Sequence, residues 1–481
     1  MIRIDRQRTA GDLLPGINRL FELSAEKIRA IENTWRPEDG SPVFTVDGVY
    51  ESRGWTEWTQ GFQVGAPLLQ FDATADREFL ELGRSLTLER MAPHLTHVGV
   101  HDHGFNNVST YGNLWRLARE GRFEAEAWEL RFYALALKVT GAVQAQRWTP
   151  IPDGGFIYSF NGAHSLFVDT IRTLRALALS YVLGHRLFEE QDRQVNLLER
   201  LLQHARATAA YSVYFGKGRD TYDVRGRTAH ESLFNTANGT YRGPSSQQGY
   251  SPFSTWTRGL AWAMLGFAEQ LEFLDTIDQA ELARLSTSAE ATADKKSSPT
   301  GAETEILDLL FDAACATCDF YIDHAASSDG VPYWDTGAPG LTSLGDWGSR
   351  AADPFNEHEP VDSSAAAIAA QGLLRVAHVM RARGVGDGAR YEQAGLRVLA
   401  TLIDEAGPYL SRDARHQGLL LHSIYHRPNG WDHVPAGSRI PRGESSMWGD
   451  YHLREAALYV KRIAEGSTYY TFFGPANVHG H

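Results

Sequence analysis

Long runs in which apolar residues return at i, i+3, i+4 and i+7 are the feature that most narrows what this chain can fold into. In 362–380, Asp362 is placed to cap a helix, an Ala-rich run follows, and Leu373, Val376, Ala377 and Met380 continue one buried stripe. The same period marks 17–31, 125–137, 166–183, 195–214, 259–273, 306–322, 391–403 and 452–463. Alternating strand patterns are few, so the expected class is all-α, with helix stripes packed against one another. Aromatic, glycine-rich connections fall at 55–65, 101–112, 331–340 and 424–449. Function is expected there, because connections on a rigid scaffold usually carry it. The stretch 286–304 is polar and rich in helix breakers, yet helical patterning resumes directly after it. It reads as a mobile excursion inside one domain spanning 1–481, not as a boundary.

The 46 Lys and Arg against 59 Asp and Glu give a formal charge of −13. That balance repels polyphosphates, and no local basic patch offsets it, so nucleic acid is not an expected partner. No apolar run approaches the roughly 18–20 residues that cross a bilayer, and the first ten residues lead into Gly11-Asp12, not into the apolar centre of a signal peptide. The expectations are a cytoplasmic location and no membrane partner. Cys315 and Cys318 form a C-x-x-C within apolar 309–320, where two further zinc ligands are missing. They read as reduced, buried helix packing.

Three clusters carry candidate chemistry. His94, His97, His101, Asp102 and His103 are dense enough to raise metal ligation, but His97 and His101 share a face only on a helix, which Val98-Gly99-Val100 and His103-Gly104-Phe105 make doubtful. No metal is expected. The better reading is a loop in which histidines and backbone donors hold Asp102 where a carboxylate exchanges protons with substrate. Asp169 lies near the start of a strongly apolar helix. It is either a solvated first-turn carboxylate favoured by the helix dipole, or an acid directed into a pocket whose pKa a second carboxylate, Asp102, raises. Arg258 and Trp262 stand four residues apart at the head of a helix and so share a face. A guanidinium fork beside an indole suits an anionic sugar, although an Arg stacked on Trp for packing alone gives the same pattern.

Taken in order, these segments resemble the unsaturated glucuronyl hydrolases, glycoside hydrolase family 88. Trp58-Thr59-Gln60-Gly61-Phe62 is similar to the family's W-T-x-G-F, and His101-Asp102-His103-Gly104-Phe105 with Tyr111-Gly112-Asn113 to its H-D-x-G-F and Y-G-N. Asp169, Gln248-Gly249, the run from Ser254 to Trp262, Pro332-Tyr333-Trp334-Asp335, the run from Asp362 to Ile368 and Trp448-Gly449-Asp450-Tyr451 follow in the family's order. The resemblance implies an (α/α)6 barrel of six helical hairpins acting without metal or organic cofactor, as monomer or homodimer. It implies release of a 4,5-unsaturated glucuronic acid from lyase-generated oligosaccharides: an acid protonates C4, water adds at C5, and the hemiketal collapses with loss of the sugar partner. By the same carry-over Asp169 is the acid and base, and Asp102 shares a hydrogen bond and charge with it. His101, His230, Gln248, Arg258 and Trp262 surround the uronate, and Trp58 and Phe62 form the wall.

Departures fall on the neighbouring sugar. Gln247 stands where the family often has His, Gln63 where a further aromatic is common, and Tyr158-Ser159-Phe160-Asn161 where Ala-Trp-Asn is expected. In place of the family's sulfate-recognising S-x-x-S-x-K the chain has His422-Ser423-Ile424-Tyr425-His426-Arg427, so a sulfated substrate is not implied. Segments 286–304, 339–360 and 429–445 are expected to shape the aglycone side. Two other readings keep the barrel: an inverting glycosidase acting on saturated glycosides with carboxylates roughly 6.5–9.5 Å apart, and a sugar-binding protein without activity.

Overall fold

The computed structural model describes residues 1–5, 7–54, 57–290 and 299–474. Its principal helices are α1 (Leu14–Thr34), α2 (Gln60–Thr74), α3 (Arg77–Arg90), α4 (His103–Asn107 continued by Val108–Gly112 and Asn113–Arg119), α5 (Ala127–Gln146) and α6 (Thr170–Thr173 with Arg175–Val182). They continue with α7 (Leu197–Ser212), α8 (Thr257–Leu274), α9 (Pro299–Phe320), α10 (Ser363–Arg383), α11 (Ala389–Ile403) and α12 (Met447–Ala464). The even-numbered helices form an inner ring. α2 packs on α4, α4 on α6, α6 on α8, α8 on α10, α10 on α12, and α12 returns to α2. The odd-numbered helices lie outside them, α3 against α2, α5 against α6, α9 against α8 and α11 against α10. This is the expected (α/α)6 barrel.

The two rings follow from two kinds of sequence. In α10 every residue from Ser363 to Ala377 is buried, so the helix has no solvent face. Outer α1 instead buries Ile17, Leu20, Phe21, Ser24, Ile28 and Ile31, one stripe at the helical period. Glycine sets how closely the inner helices meet. A Cβ on Gly61 of α2 would lie 2.3 Å from Asn106 Cα, and one on Gly104 of α4 would lie 2.2 Å from Thr173 O. Any side chain there would push the ring apart. Across the middle of the ring, Arg172 meets Glu269 at 2.9 Å and Glu455 at 3.0 Å, and Arg375 meets Glu272 at 2.6 Å, all of them buried. Removing one partner from such a pair leaves an uncompensated charge at a cost of about 3–5 kcal/mol.

Several boundaries differ from the sequence reading. The helix expected over 166–183 begins at Thr170, because Ser165–Phe167 is a strand paired antiparallel with Glu231–Phe234, itself paired with Tyr241–Ser245. Three residues are too few to display alternation, so Leu166 and Phe167 count as helix stripe in the sequence. The loop expected over 101–112 is helical from His103, and that over 55–65 is helical from Gln60. Tertiary packing of the ring overrides the low helix propensity of Gly61 and Gly104. Cys315 is half-buried and Cys318 fully buried, both unbonded, and burial pushes the Cys315 thiol up to about 11. The centre of the expected excursion, 291–298, lies outside the described residues, between helices that end at Glu290 and begin at Pro299. No helix among the described residues is long and apolar enough to cross a membrane.

Candidate active site

Alternation of outer and inner helices makes the six inner ones run the same way, so their N-termini gather at one end of the barrel. Trp58 precedes α2, Asp102 immediately precedes α4, Asp169 precedes α6, Arg258 lies in the first turn of α8, Asp362 caps α10 and Trp448 opens α12. Residues scattered over some 400 positions of sequence thereby line or support one narrow cavity. Helix N-termini carry positive partial charge, which favours anionic groups placed there.

The cavity is lined by Trp58, His101, Asp102, Phe105, Phe160, Asp169, Gln247, Gln248, Trp256, Arg258 and Trp262, and on the far side by Tyr425, His426 and Trp431. Its acidic corner is built around His101. Nε2 of this imidazole is 3.7 Å from Asp102 Oδ1 and 3.5 Å from Asp169 Oδ1, so one ring nitrogen faces both carboxylates. The sequence reading pairs the aspartates directly; the structure adds His101, whose Nε2 faces both, while the charge of Asp169 also acts on Asp102. Burial pushes the Asp102 carboxyl up, His101 opposes this, and the charge of Asp169 adds to it. Burial would raise Asp169 as well, but the facing imidazole outweighs it and holds Asp169 below the usual carboxylate value. Burial alone would lower His101, yet the charges of Asp102 and Asp169 leave it raised. The three therefore titrate as a unit.

Not every residue expected from sequence touches the cavity. Phe62 lies behind the wall, fully buried with its ring 5.7 Å from Phe105 and 5.1 Å from His452. Trp58 forms the wall itself, stacked on Trp448 at 5.0 Å, and Trp262 packs on Phe105 at 4.7 Å. His230 stands behind Phe167 and Trp256. Its Nδ1 accepts the backbone N–H groups of Gln247 (3.0 Å) and Gln248 (3.2 Å), which fixes the neutral tautomer with the proton on Nε2 and positions the glutamine pair. Burial lowers its pKa to about 4, so it stays uncharged.

Arg258 departs furthest from expectation. Its guanidinium is buried and donates to Asp362 Oδ2 (3.2 Å), Gln248 Oε1 (2.9 Å), Tyr425 O (2.8 Å) and Ile424 O. Those protein acceptors occupy both terminal nitrogens, so the arginine ties the 424–425 backbone and Gln248 to the barrel and does not stand as a free carboxylate clamp. Arg258→Lys should therefore lower the thermal midpoint and raise KM about tenfold together, since a single ammonium cannot satisfy four acceptors in a fork. A raised KM with an unchanged midpoint would restore the clamp.

In the histidine-rich segment, His94 Nε2 meets Gln60 Oε1 at 2.7 Å, while His103 meets Thr140 Oγ1 at 2.7 Å and His97 O at 3.0 Å. Their ring nitrogens serve packing of α2, α4 and α5. Tyr425, His426, Trp431 and Trp256 escape the sequence reading as individual site residues. The available signal is the aromatic density of 424–449, which marks a functional loop without saying which rings turn inward. A wider cavity opens at the opposite end of the barrel, among Arg119, Val182 and Thr276. It lies at the C-terminal ends of α4, α6 and α8, where the helix dipoles disfavour an anion.

No family model matches the chain. It is similar over nearly its whole length to the unsaturated glucuronyl hydrolase of Bacillus sp. (strain GL1), 24% identical over 422 residues that cover 86% of this chain and 89% of the relative. It is likewise similar to the unsaturated chondroitin disaccharide hydrolase of Streptococcus pyogenes serotype M1, 23% identical over 453 residues, with coverage of 92% and 90%. Among solved structures, an unsaturated glucuronyl hydrolase specific for heparin superposes with a TM-score of 0.67 at 17% identity, covering 94% of this chain and 98% of that one.

Proposed function

We propose that this chain, a member of the unsaturated glucuronyl hydrolase family, releases a 4,5-unsaturated glucuronic acid from the non-reducing end of lyase-generated oligosaccharides by hydrating its C4=C5 vinyl ether. The observation that carries this reading is the meeting of Asp102 and Asp169 at the His101 nitrogen inside an aromatic cavity at the convergent helix N-termini.

The residues act in a definite order. The uronate carboxylate enters where the helix N-termini favour negative charge, its ring lying along Trp58 and Trp262. A second anion beside Asp169 raises the carboxylate's proton affinity, and the proton moves to it from His101, 3.5 Å away. Asp169 then delivers that proton to C4. The resulting oxocarbenium ion at C5 is met by water, which loses a proton to the Asp169 carboxylate, and the hemiketal opens with departure of the sugar partner. Asp102 keeps His101 charged until substrate arrives. Every step moves protons between groups already in the cavity, and no cofactor enters it.

The test follows the double bond. Incubation with unsaturated oligosaccharides in ²H₂O should abolish the conjugated enol absorbance in step with release of the sugar partner, and place deuterium at C4 of the product. Release with the double bond intact would instead establish an ordinary glycosidase, and binding without turnover a sugar-binding protein.

A further inference from the structure

Outside the cavity, the described residues contain one group of three potential ligand atoms within 4.8 Å of one another, from Asp47, His433 and Glu444. These residues come from distant parts of the chain. Asp47 and Gly48 form the two-residue turn between strands Phe44–Val46 and Val49–Glu51, both with positive φ, 48° and 80°. Such a turn favours Asp-Gly, and it projects the Asp47 carboxylate outward. His433 and Glu444 belong to the long 424–446 connection, the same segment that supplies Tyr425, His426 and Trp431 to the cavity wall.

The geometry between these groups is that of ligands, not of a hydrogen bond. His433 Nε2 lies 3.2 Å from Asp47 Oδ1, yet this nitrogen is buried and has no hydrogen-bond partner. An imidazole nitrogen and a carboxylate oxygen at that distance, outside hydrogen-bond geometry, can both face one ion. Ligands about 2.0–2.2 Å from a tetrahedral ion are separated by a similar distance. Glu444 is held in place from behind. Its Oε2 accepts the Gly48 N–H at 3.2 Å and the Thr45 hydroxyl, and His416 Nε2 lies 3.8 Å away. His416 itself is not a ligand, because its Nδ1 accepts the Gly418 N–H (3.0 Å) and its Nε2 faces Gly443 O (3.2 Å). It supports Glu444 from outside the group, as partners of metal-binding carboxylates do.

We propose that Asp47, His433 and Glu444 bind a divalent transition-metal ion of the zinc type, fastening the 424–446 connection to the Phe44–Glu51 hairpin beside the cavity. One imidazole nitrogen with two carboxylates suits zinc, whereas calcium and magnesium take oxygen ligands. The ion's place is structural. It would stiffen the wall that Trp431 and Tyr425 form and take no part in the proton transfers at Asp169.

Calorimetric titration of ZnCl₂ into the chelator-treated full chain tests the site, with Asp47→Asn and His433→Gln as variants, since both residues sit on surface loops. The expected result is one ion bound per chain, a thermal midpoint raised by the ion, and affinity at least tenfold weaker in each variant. Absence of saturable binding would overturn the proposal. So would binding of equal strength in both variants, which would place the ion on other histidines.

Discussion

Asp169→Asn is expected to lower kcat/KM by about 10³–10⁴-fold, the upper range of what a positioned acid and base contributes, while the thermal midpoint stays within a few degrees of the parent's. The amide preserves the shape of the carboxyl group and its place before α6, so folding is not the issue. It cannot give a proton to carbon, and it cannot take one from water. The measurement is the rate of enol absorbance loss at substrate concentrations from well below KM to saturation, paired with a thermal melt. Turnover within tenfold of the parent's would remove Asp169 from the reaction and leave His101 and Asp102 as the groups to consider. A collapsed melt would mean that its ion pair with His101 holds the barrel end together, a structural part that the surrounding aromatic packing argues against.

The second large effect concerns acid. Burial lowers the pKa of His103 and His204 to about 3, and of His94, His230, His422, His426 and His452 to about 4. Each is depressed below the unfolded value near 6.5, so its contribution to stability is complete above that pH and is lost as pH falls towards the folded value. Per histidine the loss is about 1.4 kcal/mol for each pH unit. Asp335 and Asp432, raised by burial to about 6, and Glu269 and Glu272, raised to about 7, act in the opposite sense. Their folded values lie above the unfolded ones, so they gain stability as pH falls through the same window. The histidines outnumber them, so the balance is a net loss of stability as pH falls below about 6.5. Urea unfolding at pH 7.5 and pH 5 should show the midpoint falling sharply. Equal midpoints would mean that the buried imidazoles reach protons or water in the folded state.

Much of this protein is legible in its amino-acid order. Apolar periodicity marks most of the outer helices, and the Asp362 cap stands where its sequence places it, with the side chain accepting the N–H groups of Ser364 and Ala365. Asp102, Asp169, His101, Gln248, Arg258, Trp58 and Trp262 are all carried by motifs, and all line one cavity. The boundaries that shift do so for a shared reason. Gly61 and Gly104 look like helix breakers in sequence, whereas in the barrel they are the residues that let neighbouring backbones touch.

What the chain determines by itself is the kind of element and the inventory of chemistry: helices with one apolar stripe, helices apolar over most of their surface, and acids, indoles and an arginine near helix starts. Periodicity and capping are local, so neighbouring residues suffice to specify them. Only the folded barrel decides which of those groups meet. It turns the His101 nitrogen towards two aspartates, makes Arg258 a brace as well as a cavity residue, and sets Phe62, expected in the wall, and His230, expected around the uronate, behind the cavity lining. Those assignments depend on burial and on which acceptors come within reach when six helix ends converge, quantities that no single stretch of sequence contains.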